Sequence, residues 1–280
     1  MTVLVTGAFG QLGQALQALA PKYSNIRFYF TSSSETDITN LESLEKTFNK
    51  VQPDYCINAA AYTAVDKAET EYDKAKAINV EGAKNVAVTC KKYNTRLIHI
   101  STDFVFDGEK TTPYTEQDAT NPTGIYGLTK RDGELEVQKN MEEYFIVRTS
   151  WVYSQYANNF MKTMIRLSSE RPALSVVADQ TGTPTNANDL ADAVVRIITS
   201  GKTAYGIYHY SNEGAATWYD FAKEIFRVNN ITIDVSPIST SAYPTPAKRP
   251  AYSVLEKSAI KDTFGIQIKP WKEAIEPYRG

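Results

Sequence analysis

Tyr126 and Lys130 stand four positions apart in the run Tyr126-Gly127-Leu128-Thr129-Lys130. On a helix, positions i and i+4 share a face, with Cβ atoms about 5–6 Å apart. A free tyrosine has a pKa near ~10 and exchanges protons inefficiently at neutral pH. An ammonium ~4 Å away, in an effective dielectric of ~20, favours phenolate by up to about 4 kcal/mol. That predicts a phenol pKa lowered by as much as ~3, close to working pH. The pair suits proton delivery to a carbonyl oxygen, and Lys130 has donors left to hold a ribose. Ser101-Thr102-Asp103 follows the apolar run Leu97–Ile100. Thr102 is therefore expected at the carboxyl edge of a sheet, where its hydroxyl can hydrogen-bond the same carbonyl oxygen.

A second motif calls for a dinucleotide. Val3–Gly13 reads VLVTGAFGQLG, an apolar strand followed by glycines at 7, 10 and 13 and then a helix. Glycine permits the tight turn and lets backbone approach a pyrophosphate at the positive helix N-terminus. The expected cofactor is NADPH or NADH. NAD-specific sites often carry a carboxylate at the end of the second strand. Here that end reads Phe30-Thr31-Ser32-Ser33-Ser34, with Glu35 and Asp37 further on and no arginine. The balance leans to NADPH and leaves tolerance of both open. Each motif has a bland counterpart: a tyrosine packed on a lysine stem, a cap at Ser101-Thr102, an ordinary βα turn. Together they outweigh those counterparts.

Elements that could position these residues are legible along the first half. Thr2–Val5, Arg27–Phe30, Tyr55–Asn58, Arg96–Ile100 and Phe145–Arg148 read as strands. Gln11–Ala20, Leu41–Lys50, Asp73–Tyr93 and Thr129–Asn140 read as helices. The alternation predicts an α/β fold, a Rossmann-type doubly wound parallel sheet with helices on both faces. Residues 1–150 form the expected dinucleotide-binding domain. Residues 151–280 form a smaller C-terminal substrate-binding lobe, with some elements returning to the first sheet. In that half Asn159–Ser169, Asn188–Ser200 and Trp218–Val228 read as helices, and Leu174–Val177 and Ile207–Tyr210 as strands.

Composition narrows the class. Thirty basic residues against 32 acidic ones give a formal net charge of −2 over 280 residues. No basic field exists, so a nucleic-acid partner is not expected. The N-terminus lacks signal-peptide features and no apolar run is long enough to span a bilayer. Cys56 and Cys90 sit in apparent core elements and read as free buried thiols. These features fit a cytoplasmic protein without a membrane partner. His99 and His209 fall on strands and read as satisfied structural histidines, with no metal-ligand spacing around them.

The motifs together resemble those of the extended short-chain dehydrogenase/reductases, and within them the dTDP-4-dehydrorhamnose reductase family. The resemblance runs through essentially the whole chain. It is carried by GAFGQLG, Asp37-Ile38-Thr39-Asn40, NAAAYTAVDKAE over 58–69, STDFVFDG over 101–108, YGLTK, RTSWVY over 148–153, NNF over 158–160 and KRP over 248–250. It implies reduction of the C4 keto group of dTDP-4-dehydro-L-rhamnose, with Thr102, Tyr126 and Lys130 catalytic. It places Gly7, Phe9, Gly10, Gln11 and Leu12 at the cofactor phosphates and Thr31, Asp37 and Ile38 by its adenosine. Ala59, Ala60, Ala61, Tyr62 and Thr63 would line the path to the nicotinamide. Thr102, Asp103, Phe104, Trp151 and Asn159 would meet the dTDP-sugar. Arg249 would pair with its diphosphate or remain a solvated charge. Some members dimerise around a magnesium ion held by glutamates; the matching positions here are Ala15 and Asn188. A metal-bridged dimer is therefore not expected, and monomer or homodimer stays open.

Two rivals predict different residues. A 4,6-dehydratase carries Asp-Glu after the threonine, where this chain has Asp103-Phe104; a 4-epimerase often has the acidic second-strand end missing here. A non-catalytic regulatory subunit of the same fold would bind dinucleotide without sugar turnover. The AAYTAVDKAE and WVY–NNF stretches favour the reductase.

Overall fold

The computed structural model describes residues 1–276. Apolar runs at Thr2–Thr6, Tyr55–Asn58 and Tyr144–Thr149 become strands buried on both faces, as a covered parallel sheet requires, while the edge strand Arg27–Thr31 is only partly covered. The first half runs β1 (Thr2–Thr6), α1 (Gln11–Leu19), β2 (Arg27–Thr31), α2 (Leu41–Val51), β3 (Tyr55–Asn58), α3 (Val65–Ala68), α4 (Tyr72–Lys76), α5 (Gly82–Lys92), β4 (Arg96–Thr102), α6 (Ile125–Asn140) and β5 (Tyr144–Thr149). The second half adds β6 (Val152–Tyr153), α7 (Phe160–Glu170), β7 (Ala173–Val177), β8 (Thr181–Gly182), β9 (Thr185–Asn186) and α8 (Ala187–Thr199). It continues with β10 (Gly206–His209), β11 (Ala216–Thr217), α9 (Trp218–Val228), β12 (Asp234–Ile238), α10 (Ser258–Phe264) and α11 (Trp271–Ala274).

Six strands form one all-parallel sheet in the order β10-β5-β4-β3-β1-β2. The order reverses between β1 and β3, and ligands of open α/β sheets bind at the carboxyl side of such a switch point. Helices α1 and α8 pack together over one face, and α2, α5 and α6 over the other. Each face buries its own apolar cluster, one around Val3, Leu16 and Val194, the other around Leu4, Phe48 and Val86. A third cluster, around Met161, Leu174, Phe221 and Trp271, belongs to α7, β7, α9 and α11 beside the sheet. The fold is thus α/β with a parallel central sheet.

Two helices differ from the sequence expectation. The helix read over 73–93 runs unbroken over 72–92, but its middle, Ala77–Glu81, is π-helical between α4 and α5. Within that segment Asn79 exchanges two hydrogen bonds with the Tyr62 backbone, at 2.9 and 3.1 Å. Helix α6 begins at Ile125, earlier than Thr129, so Tyr126 lies in its first turn.

Candidate active site

Backbone clearance sets where the site can form. A Cβ on Gly7, whose φ is +72°, would sit 2.7 Å from the Ala59 carbonyl carbon, and one on Gly13 would sit 2.3 Å from the Gly7 oxygen. Only glycine lets the β1–α1 turn lie this close to the end of β3. Gly10 is the N-cap of α1; no side chain caps this helix and its first turn carries no acid. An uncapped N-terminus of this kind offers backbone N–H groups and a positive dipole end to an anion. The cradle therefore fits the pyrophosphate of a dinucleotide.

Glycines also set α6 against the chain just past β4 and against the π-helical segment. A Cβ on Gly127 would fall 2.1 Å from the Phe104 oxygen, and one on Gly133 at 2.1 Å from the Asn79 oxygen. This close approach brings Tyr126 to Thr102 at the carboxyl end of β4. The Tyr126 ring meets Phe104 edge-on, centroids 5.5 Å apart. Burial pushes its phenol up to about 12; a hydrogen bond with the Thr102 hydroxyl opposes this, and the Asp103 carboxylate adds to it. Thr102 itself donates to Asp103 Oδ1 at 3.1 Å and accepts from the Phe104 N–H at 3.2 Å. Asp103 is 1% exposed, and burial raises its carboxyl to about 6.

Lys130 corrects one expectation. Its ammonium donates to the Ile100 carbonyl at 2.7 Å, and the phenol is raised where the spacing predicted it lowered. Burial, which disfavours the charged form of each group, is the largest cause of both shifts. The same burial brings Lys130 down to about 8, with Glu134 opposing. Beneath the pair runs a buried relay in which Thr6 donates to Asn58 at 2.7 Å and Asn58 meets His99 Nδ1 at 3.1 Å. His99 Nε2 is buried without a hydrogen-bond partner among the described residues, so this histidine is not fully satisfied as expected. His209 is, through the Tyr114 carbonyl and Arg148.

The remaining predicted residues divide. Phe9 is 71% exposed on the glycine loop, whereas Leu12 is buried and offers only its backbone. Gln11 donates to the Val152 carbonyl at 3.0 Å and accepts from Ser154 and Asn159. Asn159 caps the N-terminus of α7 and donates to Gln11 and to the Ser154 carbonyl. The Thr31 hydroxyl donates to the Val5 carbonyl at 3.3 Å. Ile38 is buried under Gly82, and the exposed Asp37 accepts from Thr39. Ala59, Ala60 and Ala61 follow β3 half-buried, Tyr62 is buried with its hydroxyl on Glu71, and Thr63 is exposed. Arg249 is not a free solvated charge: it holds Asp66 through two bonds of 2.9 and 2.8 Å. Its guanidinium matches that carboxylate in the bidentate way it would match a phosphate.

Trp151 stands just past β5 with a φ of +45°, a strained backbone for a bulky residue. Its indole stacks on Trp218 with centroids 3.5 Å apart and planes 9° from parallel, and a Cβ on Gly182 would come within 2.6 Å of it. Outliers of this kind cluster at ligand sites. Sequence reasoning missed Asn79, which ties the Tyr62 backbone to Thr129 of α6. The available signal was an asparagine amid an otherwise helical run, since its amide competes for backbone groups. It also missed Trp218 and Gly182, which no local pattern links to Trp151. The two cysteines are free and buried, and among the described residues no helix is long and apolar enough to cross a membrane.

With this geometry in place, comparison with known proteins is direct. Residues 1–278 match the family model described as RmlD substrate binding domain. A dTDP-4-dehydrorhamnose reductase from Aggregatibacter actinomycetemcomitans is 41% identical over 99% of this chain and 98% of its own length. Two solved structures of enzymes so named superpose closely. One, from Bacillus anthracis in complex with NADP, has a TM-score of 0.93 at 42% identity, covering 98% of this chain and 96% of that one. The other, from Clostridium acetobutylicum, has a TM-score of 0.94 at 44% identity, covering 99% and 98%. The chain belongs to the RmlD substrate binding domain family, that of the dTDP-4-dehydrorhamnose reductases.

Proposed function

We propose that this chain reduces the C4 keto group of dTDP-4-dehydro-L-rhamnose to dTDP-L-rhamnose, with NADPH or NADH as cofactor. The observation that carries the reading is Tyr126 in the first turn of α6, its ring against Phe104 just past Thr102 at the sheet's carboxyl edge, with the glycine-framed N-terminus of α1 on the same edge. Bound NAD(P)H supplies a hydride. Gly7, Gly10 and the first turn of α1 hold its pyrophosphate, and Lys130, which keeps donors beyond its bond to Ile100, holds its ribose. Thr102 turns its hydroxyl proton from Asp103 to the C4 oxygen and fixes the carbonyl beside Tyr126. As hydride reaches C4, Tyr126 gives its proton to the forming alkoxide.

The raised phenol suits this direction. A proton donor must hold its proton until the substrate oxygen becomes basic, and an alkoxide is a far stronger base than a phenolate. Trp151 faces the sugar nucleotide, and the buried Asp103 acts behind Thr102, whose hydroxyl it receives. The paired Arg249 braces the 245–249 segment against Asp66. Ala15 is buried and Asn188 offers only an amide, so no metal bridge is proposed at those positions. The active species is a monomer or a homodimer without one.

The test is loss of NADPH absorbance on adding the 4-keto sugar nucleotide, compared between wild type and Tyr126→Phe. We expect turnover in the first and a loss of about 10²–10⁴-fold in the second. Unchanged turnover in Tyr126→Phe overturns the proton-donor assignment. Tight dinucleotide binding without any turnover of wild type overturns the enzyme reading.

A further inference from the structure

Lys130 and Glu134 lie one turn apart on α6 and grip neighbouring residues at the end of β4. Lys130 Nζ donates to the Ile100 carbonyl at 2.7 Å, and the Ser101 hydroxyl donates to Glu134 Oε1. Glu134 also receives Arg148 from β5, Nε to Oε1 at 3.0 Å and Nη2 to Oε2 at 2.7 Å. Both partners are almost fully buried, Glu134 at 1% and Arg148 at 3% exposure. Such a pair is a weak source of stability, because desolvating two charges offsets their attraction. Its yield is geometric. One carboxylate ties a helix to two strands, and the next residue of β4 toward the site is Thr102. Tyr126 is one turn from Lys130 on the same helix.

We propose that Glu134 is a positioning residue for the reduction: clamped by Ser101 and Arg148, it fixes the Tyr126–Lys130 face of α6 against Thr102 and supplies the negative charge that faces the Lys130 ammonium. The proposal rests on the proton-donor reading above. Burial draws Lys130 down to about 8, and the Glu134 carboxylate is the charge that holds it up. The other groups around Lys130 do not replace that charge. His99 on β4 is held neutral by burial and by Lys130 itself, and Arg148 is occupied by Glu134. Asp103, after β4, lies by Tyr126. On the elements packed against α6, Asp66 is paired with Arg249, Glu71 with Lys74 and Glu81 with Lys84.

The experiment is the pH profile of kcat/KM for the 4-keto sugar nucleotide in wild type, Glu134→Gln and Glu134→Asp, with Tm measured on each. Loss of the carboxylate lets Lys130 shed its proton sooner, so in Glu134→Gln the alkaline limb moves to lower pH by about one unit. The loosened helix lowers kcat by roughly tenfold or more. Glu134→Asp, which keeps the charge, returns the limb toward wild type. A purely structural residue would lower Tm in both variants and leave the limb where it was; that result overturns the proposal. Should Glu134→Gln not fold, Ser101→Ala carries the test, since it leaves the ion pair in place. A several-fold fall in kcat at unchanged cofactor KM supports the clamp, and a wild-type kcat overturns it. Tyr126→Phe, run alongside, separates the two readings. Full turnover there sinks the proton-donor assignment itself, whereas a dead Tyr126→Phe beside an unmoved Glu134→Gln profile sinks only the role of Glu134.

Discussion

Gln11 and Asn159 share a 3.0 Å hydrogen bond although 148 positions separate them in sequence. The glutamine sits in the first turn of α1, where a pyrophosphate would lie, and the asparagine caps α7 beyond β6. Through this contact, and through the Gln11 bond to the Val152 carbonyl, the dinucleotide turn is tied to the chain just past Trp151.

Gln11→Ala should therefore disturb both ligands together. Val152 O, Ser154 and Asn159 each lose a partner, which costs on the order of 1–3 kcal/mol of stability. KM is expected to rise for the cofactor and for the sugar nucleotide alike. Steady-state kinetics with each substrate varied in turn checks this. A change confined to the cofactor would mean that Gln11 serves the phosphates alone.

Acid stability follows from the buried histidines. Burial and Arg148 bring His209 down to about 3, and burial holds His99 well below its ordinary value. Below an unfolded-state pKa of ~6.5 the unfolded chain takes up these protons and the native state does not, so stability falls with pH from there toward ~3. Each histidine contributes a slope of about 1.4 kcal/mol per pH unit in that window. Asp103, raised to about 6, works the other way between there and its ordinary value near 3.8, and offsets part of the loss. His209→Gln keeps an amide for Tyr114 and Arg148, and should remove one proton's share of the slope. Urea melts at pH 6.5, 5.5 and 4.5 measure it, and an unchanged slope would refute the assignment.

Gly182→Ala probes the tryptophan stack. The new methyl would lie 2.6 Å from the Trp151 ring, too close for the indole to stay on Trp218. Overpacking of this kind costs about 1–3 kcal/mol. KM for the sugar nucleotide is expected to rise about tenfold or more, with cofactor affinity kept, because the dinucleotide cradle is elsewhere. Fluorescence of the stacked indoles would change in parallel. Equal losses for both ligands would show that the stack is structural only.

The contrast between these sites shows what a single sequence discloses. The glycine turn and the Tyr126–Lys130 spacing depend on neighbours within a few residues, so their geometry is written locally. Asn159 was legible too, as an N-cap before an amphipathic run, had that signal been set against the family reading. The grip of Asp66 on Arg249 spans 183 positions, and the Trp151–Trp218 stack joins segments whose proximity arises only from tertiary packing. The raised phenol of Tyr126 escapes the spacing for a related reason. Spacing reveals the cation but not the depth at which both groups are buried, and depth decided the sign.

Arg249 and Asp66 invite a double-mutant cycle. Asp66 is 40% exposed, so the pair is half-solvated and each single alanine should cost about 0.5–1 kcal/mol. If the pair acts as a brace between the 245–249 segment and α3, Arg249→Ala and Asp66→Ala lower activity equally and their effects do not add. A larger loss of sugar-nucleotide affinity in Arg249→Ala than in Asp66→Ala would instead put the guanidinium on the substrate diphosphate.

Cofactor choice turns on Glu35. Its carboxylate folds back to accept the Ser32 N–H and hydroxyl, each at 2.9 Å, and Ser32 in turn meets Ser34 at 2.8 Å. These serines follow β2, where the ribose of the adenosine half is expected, and their hydroxyls and backbone N–H are what a 2′-phosphate would need. While Glu35 holds Ser32, that phosphate meets a like charge; a ribose hydroxyl meets an acceptor. Glu35→Ala should free the serine cluster and raise kcat/KM for NADPH by roughly three- to tenfold, the scale of one exposed charge acting over several ångströms. The NADH value should hold steady or fall slightly as the acceptor is lost. High salt should shrink the gain by screening the exposed charge. Paired Michaelis constants for the two cofactors decide the matter: an NADPH to NADH ratio that Glu35→Ala leaves unchanged would place the ribose elsewhere along the loop.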